Sequence, residues 1–187
     1  MFRRQKGEDH HIANPRVQGY LTTDHLANRH WRGTKADIYE GGHRIPFLVR
    51  WPKYAKAGHN AERTITHTDI FATCAELLKA ETPKKAEDSH SFLAALSGKK
   101  GQARPGIINH SASGVFAIRE GNWKLILSAD SGGRQQPRSK LFEKPYQLYN
   151  LANDPSEKVN LINEETEIAK RLEVSFEEIA RDHKTSK

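Results

Sequence analysis

The stretch Arg32-Gly33-Thr34-Lys35, followed by Glu40-Gly41-Gly42-His43-Arg44, concentrates groups that can handle an anion. Lysine carries a compact ammonium on a flexible stem and meets a small oxyanion as a point charge. Lys35 therefore reads as a cation held at the edge of a sheet to face an anionic substrate. Gly41 and Gly42 permit backbone angles that other residues avoid. Glu40 or Arg44 can pin the loop through charge-assisted hydrogen bonds. These four residues are expected to support the loop that presents Lys35. His110 ends a short apolar stretch just before Ser111-Ala112-Ser113-Gly114 and is a second candidate.

Other reactive side chains are given blander roles. His10, His11, His25 and His30 lie in residues 1–31, a polar segment without periodicity that reads as a long loop or extended arm. Their spacing fits no helix face and no companion cysteines exist, so no metal ligands are assigned. The single cysteine, Cys74, excludes an internal disulfide and a multi-cysteine zinc site. It lies on an apolar stripe and is expected to be a small core residue. Asp69 and Asp88 are left unassigned.

The elements that must position Lys35 begin with Ile45-Pro46-Phe47-Leu48-Val49-Arg50-Trp51, an apolar run that predicts a strand buried on both faces. Thr66-His67-Thr68-Asp69 resembles a capping box. Ile70, Phe71, Cys74, Leu77 and Leu78 then fall on one face and predict an amphipathic helix of about 13 residues packed on a core. A shorter helix is expected from about Ser89 to Leu96, buried through Phe92, Leu93 and Leu96 and stopped by Gly98. After Pro105, strands are predicted at Ile107–His110 and Val115–Arg119. Trp123–Leu127 pairs with the latter through a Glu120-Gly121 turn, and a brief strand follows at Gln147–Tyr149. The tail from Asn163 to about Lys184 predicts a long helix capped by Asn163, with Ile168, Leu172, Phe176 and Ile179 on one stripe. A lone buried parallel strand needs neighbours that residues 1–104 do not supply. The fold class is thus α/β, the C-terminal piece of something larger. Residues 1–104 end the large core, and residues 105–187 form a small antiparallel sheet with a covering helix.

Thirty Lys and Arg against 23 Asp and Glu give 187 residues a net charge of +7, which suits anionic partners. The basic residues are scattered with no run of five, so nucleic acid is not the expected partner. No stretch approaches the ~20 apolar residues that span a bilayer. The start, MFRRQKGEDHH, has charge where a signal peptide needs an apolar core. Either the protein is cytoplasmic or this chain does not begin where the natural protein begins.

Four segments together resemble the type I sulfatase (arylsulfatase) family. Arg32–Phe47 is similar to its "G-x-K-x-x-x-x-E-G-G-x-R-x-P" stretch, and Thr66–Leu78 to the helix after its last large-sheet strand. Ala117–Leu125 resembles its "A-[VI]-R-x-G-x-[WY]-K-L" hairpin, and Leu148–Leu161 its "L-Y-x-L-x-x-D-P-x-E-x-x-N-L" closing motif. The resemblance implies the C-terminal part of an alkaline-phosphatase-like fold and hydrolysis of sulfate monoesters by a formylglycine nucleophile. It makes Lys35 the cation on the sulfate and brings the His110 loop to the substrate pocket. It further implies calcium, a sulfated small molecule or glycan as substrate, and a periplasmic or secreted location. The family's "C-x-P-x-R" motif and calcium aspartates have no counterpart in this sequence. Formylglycine and calcium are therefore expected in the full-length enzyme, from an N-terminal part missing here, with neither held by this chain. Two alternatives are a related phosphatase or phosphodiesterase, and a basic accessory module for sulfated polysaccharide or nucleic acid.

Overall fold

The computed structural model describes residues 28–83, 86–102, 104–133 and 137–185. The expected arm with His10, His11 and His25 lies outside the described residues. Two compact units emerge: of the described residues, 28–45 group with 108–182, and 46–107 with 183–185. Residues 28–45 find their packing partners on the small sheet, where Ile38 and Tyr39 join its core.

The first unit is built on four strands in the order β1 Ile107–His110, β2 Phe116–Glu120, β3 Trp123–Ile126 and β4 Gln147–Asn150. Strand β3 runs antiparallel to both β2 and β4, with Arg119 opposite Lys124 and Lys124 opposite Tyr149. The period-2 alternation splits the side chains cleanly. Ile118, Leu125, Leu127 and Leu148 point to one face, where Ala169 and Leu172 of the terminal helix cover them. Ala117, Ile126 and Tyr149 point to the other face, onto Ile38 and Tyr39. Asn160 locks the closing segment by accepting hydrogen bonds through Oδ1 from the Leu148 and Ile162 backbone amides, at 2.9 and 3.1 Å.

The terminal helix spans Thr166–Thr185, three residues later than Asn163 would have started it. Asn163 instead lies in a turn, where the Glu164 and Glu165 amides both donate to the Leu161 carbonyl. Ile168, Phe176 and Ile179 join Leu172 against the sheet but are only partly buried.

The second unit leaves one apolar run open and corrects the expected face of one helix. Residues 45–51 form no strand and are largely exposed, with Leu48 at 93%. Among the described residues no strand pairs with this run, and an apolar segment is buried only where a partner covers it. The helix Asp69–Leu77 exists but turns the opposite way to that expected. Asp69, Ala72, Thr73 and Ala75 are buried, whereas Ile70, Phe71, Leu77 and Leu78 are exposed. Cys74 is exposed too and is not a core residue.

Polar contacts explain which face turned inward. Asp69 accepts hydrogen bonds from the Thr66 and His90 amides at 2.8 and 2.9 Å and pairs with the Arg104 guanidinium. Ser89 Oγ accepts from the Ala72 amide and donates to the Thr68 carbonyl. The following helix is a single turn, Leu93–Leu96, anchored by buried Phe92 and Leu93 and ended by Gly98 at φ +75°.

Candidate active-site loop

Lys35 sits at the exposed tip of a turn whose two ends meet. The Gly41 amide donates to the Arg32 carbonyl at 2.7 Å, and Asn28 Nδ2 donates to the carbonyls of Gly33 and Gly41. Within the turn, the buried Asp37 carboxylate accepts from the Thr34 amide at 2.8 Å and from its hydroxyl at 3.2 Å. The Ile38 amide donates to the Ser131 carbonyl at 2.8 Å. The loop sequence thus encodes a fixed shape. Gly41 and Gly42 lie on the one-turn helix Glu40–His43. What demands glycine there is close approach: a Cβ on Gly41 would collide with the Arg32 and Gly33 carbonyl oxygens, and one on Gly42 with that of Asp37.

Below the loop lies a charge cluster that the strand pattern creates. Arg119 and Lys124 are directly opposite on the same face, a repulsive cross-strand pair when left alone. The buried Glu40 carboxylate fits between them, Oε1 3.1 Å from Lys124 Nζ and Oε2 3.1 Å from Arg119 Nη1. Half-exposed Arg44 adds a contact at 3.7 Å. Lys124 Nζ also lies 2.9 Å from Glu157 Oε1, an ion-pair contact rather than a well-aligned hydrogen bond. Glu157 Oε2 accepts the Glu40 backbone N–H at 2.7 Å.

The two acids of this cluster shift in opposite directions. Burial pushes Glu40 upward, but Lys124, Arg119 and Arg44 together outweigh it and hold its carboxyl below the usual range. Glu157 shares only Lys124 and is more deeply buried, so burial wins and its carboxyl is raised. Glu40 therefore adds stability that is present above the ordinary carboxylate value and lost as pH falls through its lowered one. Glu157 tilts the other way, its contribution declining as pH rises through its raised value.

His110 stands at the exposed end of β1, with its Nδ1–H donating to the Ser111 carbonyl at 2.9 Å. The loop after His110 touches the Lys35 turn directly, since the Ala112 amide donates to the Ala36 carbonyl at 3.0 Å. The structure thus brings Lys35, His110 and the Glu40–Arg44 segment onto adjoining loops. Lys124, Arg119, Glu157 and His43 also belong to this assembly, and sequence reasoning assigned them no role. A charged residue inside the apolar run Trp123-Lys124-Leu125-Ile126 was the available signal.

His43 is pushed down to about 4, first by burial and then by Lys124 and His110. Its Nε2 is buried with no partner among the described residues. An imidazole that is neutral when folded costs stability once the unfolded chain takes up a proton. Stability is therefore full above the ordinary value of 6.5 and declines as pH falls toward about 4. Replacing His43 by Leu is expected to remove this slope. Urea unfolding of both proteins at neutral and mildly acidic pH checks it, and identical slopes would contradict the assignment.

The family description N-sulphoglucosamine sulphohydrolase, C-terminal, matches residues 30–182. The chain belongs to this sulfatase family. N-acetylgalactosamine-6-O-sulfatase of Bacteroides thetaiotaomicron is 37% identical over 153 residues, covering 80% of this chain and 30% of that protein. Arylsulfatase A of Homo sapiens is 30% identical over 142 residues, covering 68% of this chain and 28% of that protein. A solved structure concerned with the metabolism of multiple glycosaminoglycans by Bacteroides thetaiotaomicron aligns with a TM-score of 0.69 at 32% identity. It covers 88% of this chain and 34% of that one. The chain thus spans about a third of the sulfatases it matches and corresponds to the C-terminal region of their alkaline-phosphatase-like fold.

Sulfatase membership is consistent with a metal ion and formylglycine, but the described residues of this chain do not fit either group. Among the described residues no three His, Cys, Asp or Glu side chains converge as a metal ion requires. Cys74, within Ala-Thr-Cys-Ala-Glu, stands on a helix of the second unit and lacks the "C-x-P-x-R" setting. No helix among the described residues is long and apolar enough to cross a membrane.

Proposed function

We propose that this chain is the C-terminal part of a sulfuric ester hydrolase that removes sulfate from a sulfated glycan, with Lys35 as its catalytic cation. The nucleophile and the metal ligands belong to the N-terminal catalytic part of the same protein. What supports this reading is the placement of Lys35 on a braced turn, joined through Ala36 and Ala112 to the loop that follows His110. A sulfate monoester is negative on its non-bridging oxygens, and more charge gathers on the bridging oxygen as its bond to sulfur breaks. A fixed ammonium beside those oxygens lowers that barrier by about 3 kcal/mol. His110 binds the substrate beside the sulfate, while Glu40, Gly41, Gly42 and Arg44 hold the loop in shape. The names of the relatives, an N-acetylgalactosamine sulfatase among them, favour a sulfated sugar over a simple aryl sulfate. A sulfated glycan as substrate favours a location in the periplasm or outside the cell.

Desulfation of a panel of sulfated sugars by the full-length protein tests this reading. Lys35→Ala is expected to lower kcat about a hundredfold. The 187-residue chain alone is expected to be inactive. Unchanged kcat/KM in Lys35→Ala, or turnover by the purified chain alone, would sink the assignment.

A further inference from the structure

Glu157 stands outside the Lys35 loop in sequence yet holds both of its ends. Its backbone carbonyl accepts Arg32 Nη1 at 2.9 Å at the entry to the loop. Its carboxylate accepts the Glu40 amide at 2.7 Å at the exit. The same carboxylate pairs with Lys124, which also holds the Glu40 side chain. Arg32 is braced further, donating to the Tyr149 hydroxyl at 3.2 Å and lying 3.8 Å over the Tyr39 ring.

The backbone of Glu157 is strained to make this possible. It is fully buried and sits at φ +51°, a region that L side chains other than Asn and Asp seldom adopt. A glycine would occupy that backbone at no steric cost. The feature that glycine cannot supply is the carboxylate. Strain of this kind persists where the surroundings over-determine a residue, and it clusters at functional sites.

We infer that Glu157 is a positioning residue for the sulfatase reaction, clamping the entry and exit of the loop so that Lys35 is presented at a fixed place. The inference rests on the reading of Lys35 as the catalytic cation. A displacement of about 1 Å in a group aligned with the reacting atoms costs up to about a hundredfold in rate. The clamp therefore acts on kcat, through Lys35, without touching substrate.

Two variants of the full-length protein separate its parts. Glu157→Gly keeps the carbonyl that receives Arg32 and removes the carboxylate. Glu157→Gln keeps a side-chain oxygen for the Glu40 amide and loses the charge. Glu157→Gly is expected to lower kcat by about ten- to a hundredfold with KM little changed, and Glu157→Gln to lie between it and wild type. In both, the Glu40 and Gly41 amides should exchange faster with solvent, while the Leu125 amide of β3 stays protected. A purely structural role would instead lower the folded fraction and leave kcat per folded molecule intact. If Glu157→Gly folds and keeps both kcat and the slow exchange of Glu40 and Gly41, the clamp is overturned. If Lys35→Ala is itself neutral, the catalytic reading fails, and amide exchange alone decides whether Glu157 holds the loop. Should Glu157→Gly not fold, the same two readouts on Glu157→Gln decide.

Discussion

Replacing Lys124 with methionine is expected to destabilise the protein by about 3–5 kcal/mol, the range for breaking a buried ion pair from one side. Lys124 is 1% exposed and is the only cation in contact with both Glu40 and Glu157 among the described residues. Methionine keeps the length and the apolar stem, so the loss is that of the charge rather than of packing. Two carboxylates would then face each other across the vacated position, with Arg119 and half-exposed Arg44 in contact with Glu40 alone. Urea unfolding followed by tryptophan emission, to which Trp123 on the same strand contributes, measures the cost. The triple variant Glu40→Gln, Lys124→Met, Glu157→Gln removes the whole cluster and is expected to recover much of the loss. A cost below about 1 kcal/mol for the single variant would mean that water or a nearby cation takes the place of Lys124.

Leu172→Ala is the second large effect, about 2–5 kcal/mol. Leu172 is fully buried and is the central contact of the terminal helix with Ile118, Leu125, Leu127 and Leu148. The removed methyl groups lose their transfer free energy and leave a void that the sheet cannot fill, since its strands are fixed by the β2–β3–β4 ladder. Phe176 is only partly buried, so Phe176→Ala should cost less than Leu172→Ala despite its larger side chain. Thermal unfolding of the two variants side by side checks the order. A greater loss at Phe176 would mean that the aromatic group of Phe116, Phe142 and Phe176 anchors the helix instead.

The small sheet and its helix were legible in the sequence because their signals are local. Alternation at Phe116–Glu120 and Trp123–Ile126, a glycine turn between them, and the helical spacing of Ile168, Leu172, Phe176 and Ile179 each fix an element by themselves. The apolar run 45–51, whose missing neighbours the sequence already implied, is open for the same reason that the buried face of the helix at Asp69–Leu77 was misread. Apolar character is a property of a segment, whereas burial is a property of a segment and its partner. With no partner among the described residues, Leu48 and Leu78 are exposed at 93% and 76%, and the helix instead buries Asp69 against Arg104. At the candidate site, the glycines and Lys35 could be singled out from the sequence. Glu40 could be too, as a loop support, but its pairing with Lys124 and Glu157 could not, because the three meet only after the sheet has formed.

That meeting has an evolutionary consequence. Glu40, Lys124 and Glu157 belong to three motifs separated by 84 and 33 positions, and each motif looks independent when read along the chain. The buried triad removes that independence. An all-apolar replacement is an acceptable end state, but any single-step route to it passes through an uncompensated buried charge. Neutral drift at one position is therefore blocked unless the others have already changed. Across related chains, these three columns should be inherited or lost as a set, and a lineage that has exchanged Lys124 for an uncharged residue should lack the acids as well.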